Sequence, residues 1–313
     1  MRSGAGGMRR PAVSGPRRHR EDTVEETVMP VRIVGFMPTP FDDRGGVDAA
    51  ALAALAGAIA AEGIHPAVLG GMGEYYALDR AESRDCMVAA IDGAGGAPVV
   101  AGIGWSTREA ALLAADAGEA GVDTLVLNPP YYAAPSPEAY AEHVRRVTEA
   151  GGVGAIVYSS KGYPMTEAHL ERLVEVPGFL GVKEEHYGVE ETAGRIARWG
   201  DRVEWWGVGE AGGSAYARVG AGTVTSSLCN VRPDLVVRAV AALVSGGEDP
   251  EAVQAVEDWL AALAADRQGA PAFLTEAMHR TAGWNRTVRL PLLPSDAEGQ
   301  RAVQAFLDAW ARP

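Results

Sequence analysis

Residues 154 to 186 read GAIVYSSKGYPMTEAHLERLVEVPGFLGVKEEH. An apolar run, GAIVYS (154–159), gives way to a loop and then to EAHLERLVEV (167–176), where apolar residues return every three or four positions. A second short run, LGVKE (180–184), follows. Strand, helix, strand is the reading, and a helical crossover implies parallel strands, because an antiparallel pair needs only a tight turn. One such unit fits any α/β sheet, so the number of repeats decides the architecture.

The same alternation runs outward in both directions. Further strand-like runs are VRIVGF (31–36), PAVLG (66–70), APVVAGI (97–103), TLVLNPP (124–130), VEWWGV (203–208) and GTVTSSL (222–228), which makes eight. Between them lie amphipathic patterns such as AALAALAGAIAAEGI, EAALLAADAGEAG and PEAYAEHVRRVTEAG. Cap chemistry marks their starts: Asp48, Ser106 with Glu109 three residues on as a capping box, and Ser136 before Pro137. Glycines mark ends at Gly63, Gly121 and Gly151. Eight strands spaced by single helices predict a (β/α)8 barrel over 29–230 rather than an open doubly wound sheet. Beyond Asn230 only helical patterns remain, so 231–313 is expected to form a C-terminal helical region packed on the barrel.

Composition narrows the class. The 313 residues are 47% apolar and 22% charged, and no apolar run approaches the ~18 residues of a membrane helix. A net charge of −13 opposes nucleic acid and anionic membrane surfaces as partners, which leaves small molecules. Cys86 and Cys229 lie far apart, outside any metal-ligand spacing, and are expected to be buried, reduced thiols. Residues 1–28 are rich in Gly, Pro and Arg and lack the apolar core of a secretory signal. A disordered extension or misassigned start, and the cytoplasm, are the expectations.

Barrel enzymes assemble their sites at the C-terminal strand ends. Those ends carry Thr39 and Pro40, Gly71 to Glu74, Tyr131 and Tyr132, Tyr158 to Lys161, Lys183 to Glu185, Gly209 and Glu210, and Thr225 to Ser227. Lysine occurs only at 161 and 183. An amine at a strand end against apolar neighbours is desolvated, which lowers its pKa and frees a nucleophile for a carbonyl, so Lys183 points to Schiff-base chemistry. The plain alternative is a surface lysine paired with Glu184 or Glu185. Tyr158 could move protons beside it. The six histidines form no metal-ligand pattern, and His143 and His169, within helical patterns, are expected at the surface. No GxSxG serine motif occurs, and GGMGEYY (70–76) matches neither GxGxxG nor GxxxxGK, so a nucleotide loop is excluded.

Taken in order, GFMPTPF, GGMGEYYAL, VVAGIG, NPPYY, IVYSS, GVKE and VRLPL resemble the motif series of the dihydrodipicolinate synthase and N-acetylneuraminate lyase superfamily over roughly residues 31–310. The resemblance implies a metal-free, cofactor-free class I aldolase barrel, usually a homotetramer, acting on pyruvate or related 2-oxo acids through a covalent imine. It implies Lys183 as the imine lysine, Tyr158 as the proton-moving tyrosine and Tyr132 as a relay donated across a subunit interface. Gly209 and Glu210 would meet the distal part of the substrate, Thr225 and Ser227 would line the pocket, and Glu185 falls two past the lysine.

Two departures bear on the reaction. The family's strand-2 loop carries two hydroxyl residues where this chain has Gly71 and Met72. Backbone N–H groups of Gly71, Met72 and Gly73 can still cradle a carboxylate, but a thioether cannot pass a proton. In place of the synthases' loop arginine stands SSKGYP, whose Lys161 could supply the cation and depress the pKa of Lys183 by like-charge repulsion. The expectation is therefore an aldolase or retro-aldolase taking a 2-oxo acid with an aldehyde, distinct from authentic dihydrodipicolinate synthesis. The alternatives are a dehydratase of the 5-dehydro-4-deoxyglucarate type, suggested by the Gly-Gly pair, and a non-catalytic barrel that binds an oxo acid.

Overall fold

The computed structural model describes residues 31–130 and 132–310. The N-terminal stretch 1–28 and Tyr131, for which expectations were drawn, lie outside the described residues. Strands β1 (Arg32–Phe36), β2 (His65–Leu69), β3 (Val100–Ile103), β4 (Thr124–Leu127), β5 (Ala155–Ser159), β6 (Phe179–Glu184), β7 (Glu204–Gly207) and β8 (Thr223–Ser226) pair in parallel in chain order. β8 returns to β1, with Val34 opposite Thr225, and closes the barrel. Every strand begins within a residue of its expected run or inside it. The run at 97–103 begins ahead of β3 and the run at 124–130 outlasts β4, where Pro98, Pro129 and Pro130 have no N–H for a ladder.

Outside the strands lie α1 (Ala49–Ala60), α2 (Arg80–Ala94), α3 (Thr107–Ala120), α4 (Pro137–Gly151), α5 (Glu167–Leu173), α6 (Val189–Trp199), α7 (Glu210–Ala217) and α8 (Pro233–Ser245). Helix α8 packs on both α7 and α9, between the barrel and the C-terminal helices. The expected caps form at Asp48, Ser106 and Ser136, whose side chains accept N–H groups of Ala51, Glu109 and Ala139. The reciprocal capping box occurs instead at Asp79 and Glu82. At the end of α4 the left-handed residue is Gly152 (φ 62°), and Gly151 is still helical. Gly151 has another use: a Cβ on Gly118 of α3 would run into its carbonyl oxygen, so the pair lets α3 and α4 touch backbone to backbone.

The inner face of the barrel is filled by Val34, Phe36, Ala67, Val100, Val126, Ile156 and Trp206, with Met72 and Tyr158 packed against them. Its other face packs on the helices through a separate, larger core. Helices α9 (Pro250–Ala265), α10 (Ala270–Ala282) and α11 (Ala297–Ala309) form the C-terminal extension. Trp259 of α9 is fully buried, edge-on to Phe273 and Phe306 at 5.0 Å, and its Nε1 donates to Ser227 Oγ at 3.0 Å. One indole thereby ties the extension to the end of β8.

Both cysteines are buried and free, as expected. The two helical histidines are not surface residues. His143 is buried against the ring of Tyr140 with Thr107 Oγ1 2.9 Å from Nδ1, and burial pushes its pKa down to about 4. His169 is buried too, and its Nδ1 caps α5 at Thr166. Among the described residues no helix is long and apolar enough to cross a membrane.

Candidate active site

Register fixes which face Lys183 takes. In a parallel ladder opposed residues share a face, and Lys183 stands between Tyr158 of β5 and Trp206 of β7, both on the inner side. Its neighbour Glu184, paired with Ser159 and Gly207, therefore points outward, where Arg195 of α6 meets it at 3.1 Å and the N–H groups of His186 and Tyr187 donate to it. Lys183 is buried, with Nζ 3.7 Å from the centroid of the Tyr158 ring and 5.5 Å from that of Phe36. Removal from water brings its pKa down from 10.5 to about 7. Among the described residues neither Glu184 nor Glu185 pairs with it. Glu185 instead accepts a hydrogen bond from the Tyr158 hydroxyl, and burial raises the Glu185 carboxyl above the ordinary range.

The strand-2 loop hangs over this centre. Leu69 (φ 62°), Gly70 (φ 62°) and Glu74 (φ 53°) all take the left-handed conformation, which is costly for the two that are not glycine. The N–H of Gly73 donates to Leu69 O, that of Glu74 to Gly71 O, and Thr39 Oγ1 holds Gly73 O at 2.7 Å. Gly73 is therefore spent on the turn itself. Among the described residues no acceptor meets the N–H groups of Gly71 and Met72, which narrows the expected three-residue cradle to these two. Gly71 is exposed, and the Met72 side chain packs on the inner cluster.

Glu74 follows β2 in this loop. It is fully buried; one oxygen accepts the backbone N–H of Arg289 at 2.8 Å and the other meets no partner. Burial raises its pKa, against the lowering effect of Arg289. Arg289 in turn grips Glu82 with two nitrogens at 2.6 Å and donates to Ala77 O and Gly45 O. The motif pieces GGMGEYY and VRLPL thus form one joint, which clamps the loop to the C-terminal region.

Several expected pocket residues are placed elsewhere. Glu210 is buried, and its Oε1 takes the Ser226 hydroxyl and the N–H groups of Ser227 and Leu228 at 2.7 to 2.9 Å, bracing the turn after β8. Ser227 serves the same joint through Trp259. Gly209 (φ 74°) donates its N–H to Thr225 Oγ1 at 3.0 Å, so these two belong together, and Thr225 faces inward opposite Val34. Lys161 is exposed on the turn between Ser160 and Tyr163, and burial, not like-charge repulsion, depresses Lys183. Tyr132 is 97% exposed with a left-handed backbone (φ 63°), whereas Lys183 is buried.

Two cavities of about 760 and 770 Å³ lie off this axis, one between α1, α8, α10 and α11, the other beside Trp105 and Pro130. Neither is lined by Lys183 or Tyr158, and the chemistry of the inner-face residues outweighs their size in locating the site.

The model of the dihydrodipicolinate synthetase family matches residues 29–310. A 4-hydroxy-tetrahydrodipicolinate synthase of Halorhodospira halophila is 32% identical over 249 residues, 77% of this chain and 82% of that protein. A probable 5-dehydro-4-deoxyglucarate dehydratase of Chelativorans sp. is 31% identical over 227 residues, covering 71% and 75%. Among solved structures, dihydrodipicolinate synthase from Agrobacterium tumefaciens superposes with a TM-score of 0.80 at 25% identity, covering 90% of this chain and 98% of that one. A Ruminococcus gnavus sialic acid aldolase, a catalytic lysine mutant, gives 0.81 at 17% identity over 89% and 96%, a likeness of fold.

Proposed function

Because this chain belongs to the dihydrodipicolinate synthetase family, we propose that it is a Schiff-base-forming lyase of pyruvate or a related 2-oxo acid, with Lys183 as the nucleophile. The observation that carries the reading is the Lys183 amine itself, buried on the inner face of the barrel against Tyr158 and held at about 7 by desolvation. A neutral amine attacks the C2 carbonyl; loss of water leaves a protonated imine, which draws electrons from C3 and makes a proton there, or the C3–C4 bond, labile. The imine is the electron sink, so the scheme calls on no metal or cofactor. The N–H groups of Gly71 and Met72 orient the carboxylate, and Tyr158 moves the proton. Tyr132 enters only through a second copy of the chain in a homo-oligomer.

Within this class, dihydrodipicolinate synthesis is disfavoured by the absence of a hydroxyl at positions 71 and 72. Aldol addition or cleavage with an aldehyde partner is the first reading. Dehydration of a sugar acid is the second, supported by the Gly70-Gly71 pair and by relatives named probable 5-dehydro-4-deoxyglucarate dehydratases. Incubation with pyruvate and a panel of 2-oxo acids, borohydride reduction and peptide mass spectrometry should find the adduct on Lys183. If no oxo acid leaves an adduct there, the barrel is a binding protein and the lyase reading fails. Product analysis of oxo acids with and without aldehydes then separates addition from dehydration.

A further inference from the structure

The Tyr158 hydroxyl has one acceptor among the described residues, and it is a carboxylate that the family reading leaves without a part in the chemistry. Glu185 is held in place by its own backbone, whose N–H donates to Ser159 O at 3.0 Å beside Tyr158. The same phenol ring carries Lys183 on its face and Glu185 at its hydroxyl. Glu185 is only half-buried, so the pair leads from a buried amine to solvent. The strand-2 loop offers Met72, packed on the same inner cluster, whose sulfur cannot take a proton at neutral pH.

We infer that Glu185 is the proton acceptor for Tyr158, so that phenol and carboxylate together form the relay that activates the substrate on Lys183. The inference rests on the imine reading above. In the imine, Tyr158 takes a proton from C3 while its phenolic proton passes to Glu185 Oε2. The C3–H bond breaks, its electron pair becomes the C2–C3 π bond of the enamine, and the C2–N π pair goes to nitrogen. Glu185 changes from carboxylate to carboxylic acid and sheds its proton to solvent, or returns it in the reverse step. The raised carboxyl pKa makes Glu185 a better acceptor than an exposed carboxylate would be. Since it works through Tyr158, Glu185 is a positioning and relay residue.

Exchange of the pyruvate methyl protons in D2O, followed by NMR, reads the C3 step without knowledge of the aldehyde. Glu185→Gln keeps an acceptor for the phenol and removes the base. It should form the borohydride adduct on Lys183 to the wild-type extent yet exchange slower by a factor on the order of 100, the scale of general base catalysis. Tyr158→Phe should lose a similar factor, and the double variant should be no slower than Tyr158→Phe alone. In Glu185→Ala, added formate should restore exchange, which a purely structural role would not allow. Full adduct with wild-type exchange in Glu185→Gln, losses that multiply in the double variant, or no formate rescue would overturn the relay and leave the imine standing. Absence of any adduct on wild-type Lys183 would instead sink the imine reading and the relay with it.

Discussion

Replacing Lys183 by methionine should stabilise the protein, by an amount that depends on pH. An ordinary lysine amine has a pKa of 10.5, and burial holds this one at about 7. Because the folded value is depressed, the unfolded chain binds the extra proton between these two pH values, and stability rises with pH across that window. At 1.36 kcal/mol per pKa unit, keeping Lys183 in the barrel costs about 4 to 5 kcal/mol at pH 7 and almost nothing near pH 11. Methionine is close to isosteric with the lysine stem and packs without needing a charge partner. If half of the cost is recovered, the gain of about 2 kcal/mol should raise Tm by roughly 4 to 8 °C at pH 7, on the scale of about 2 to 4 °C per kcal/mol for chains of this order of size. Thermal unfolding of both proteins at about pH 7 and about pH 10 measures the difference, and effects common to both cancel. A Tm difference that does not shrink at the higher pH, or a methionine variant less stable at pH 7, would refute the claim that the amine is held in a desolvating site.

Three further outcomes follow from named contacts. The rate of imine formation, trapped by borohydride, should rise with pH through about 7, where roughly half the Lys183 amine is neutral against roughly one in 3,000 for an ordinary lysine; a half-rise above about 9 would contradict the burial. Glu210→Ala removes the acceptor for three buried donors and should cost about 3 kcal/mol or more in urea unfolding, while the Lys183 adduct still forms at a permissive temperature. Gly118→Ala should lower Tm through a loss of about 1 to 3 kcal/mol, because its Cβ meets the Gly151 carbonyl, whereas Gly71→Ala, with open space around it, should leave Tm unchanged.

The barrel was legible because of how parallel strands are buried. With helices on one face and barrel filling on the other, each strand reads as a short unbroken apolar run, and AIVYS and TLVL needed no partner information to be recognised. Caps such as Ser136-Pro137 are likewise local, written within four residues. The burial of the histidines of α4 and α5 is not legible in the sequence because what satisfies them is not local. His143 is paid for by Thr107 on the preceding helix and by the Tyr140 ring, and a helical pattern alone cannot distinguish a solvated imidazole from one that packs neutral.

At the site, strand-end position alone mixed two populations, since side chains alternate faces along a strand. Counting by twos from Lys183 and carrying the parallel register across separates them: Tyr158 and Trp206 share its face, while Glu184, one residue on, belongs to Arg195 outside the barrel. Parity could have been applied to the sequence. Glu210 could not have been reassigned that way, because it lies beyond β7 in the first turn of α7, where its carboxylate meets N–H groups 17 and 18 residues later. Glu74 is the extreme case, bonded to Arg289 at a separation of 215 residues. A single sequence presents GGMGE and VRLPL as two unrelated phrases; only closure of the barrel and return of the C-terminal region bring them to one point. The strand-2 loop is therefore shaped from outside itself, by a buried acid on a distant backbone N–H.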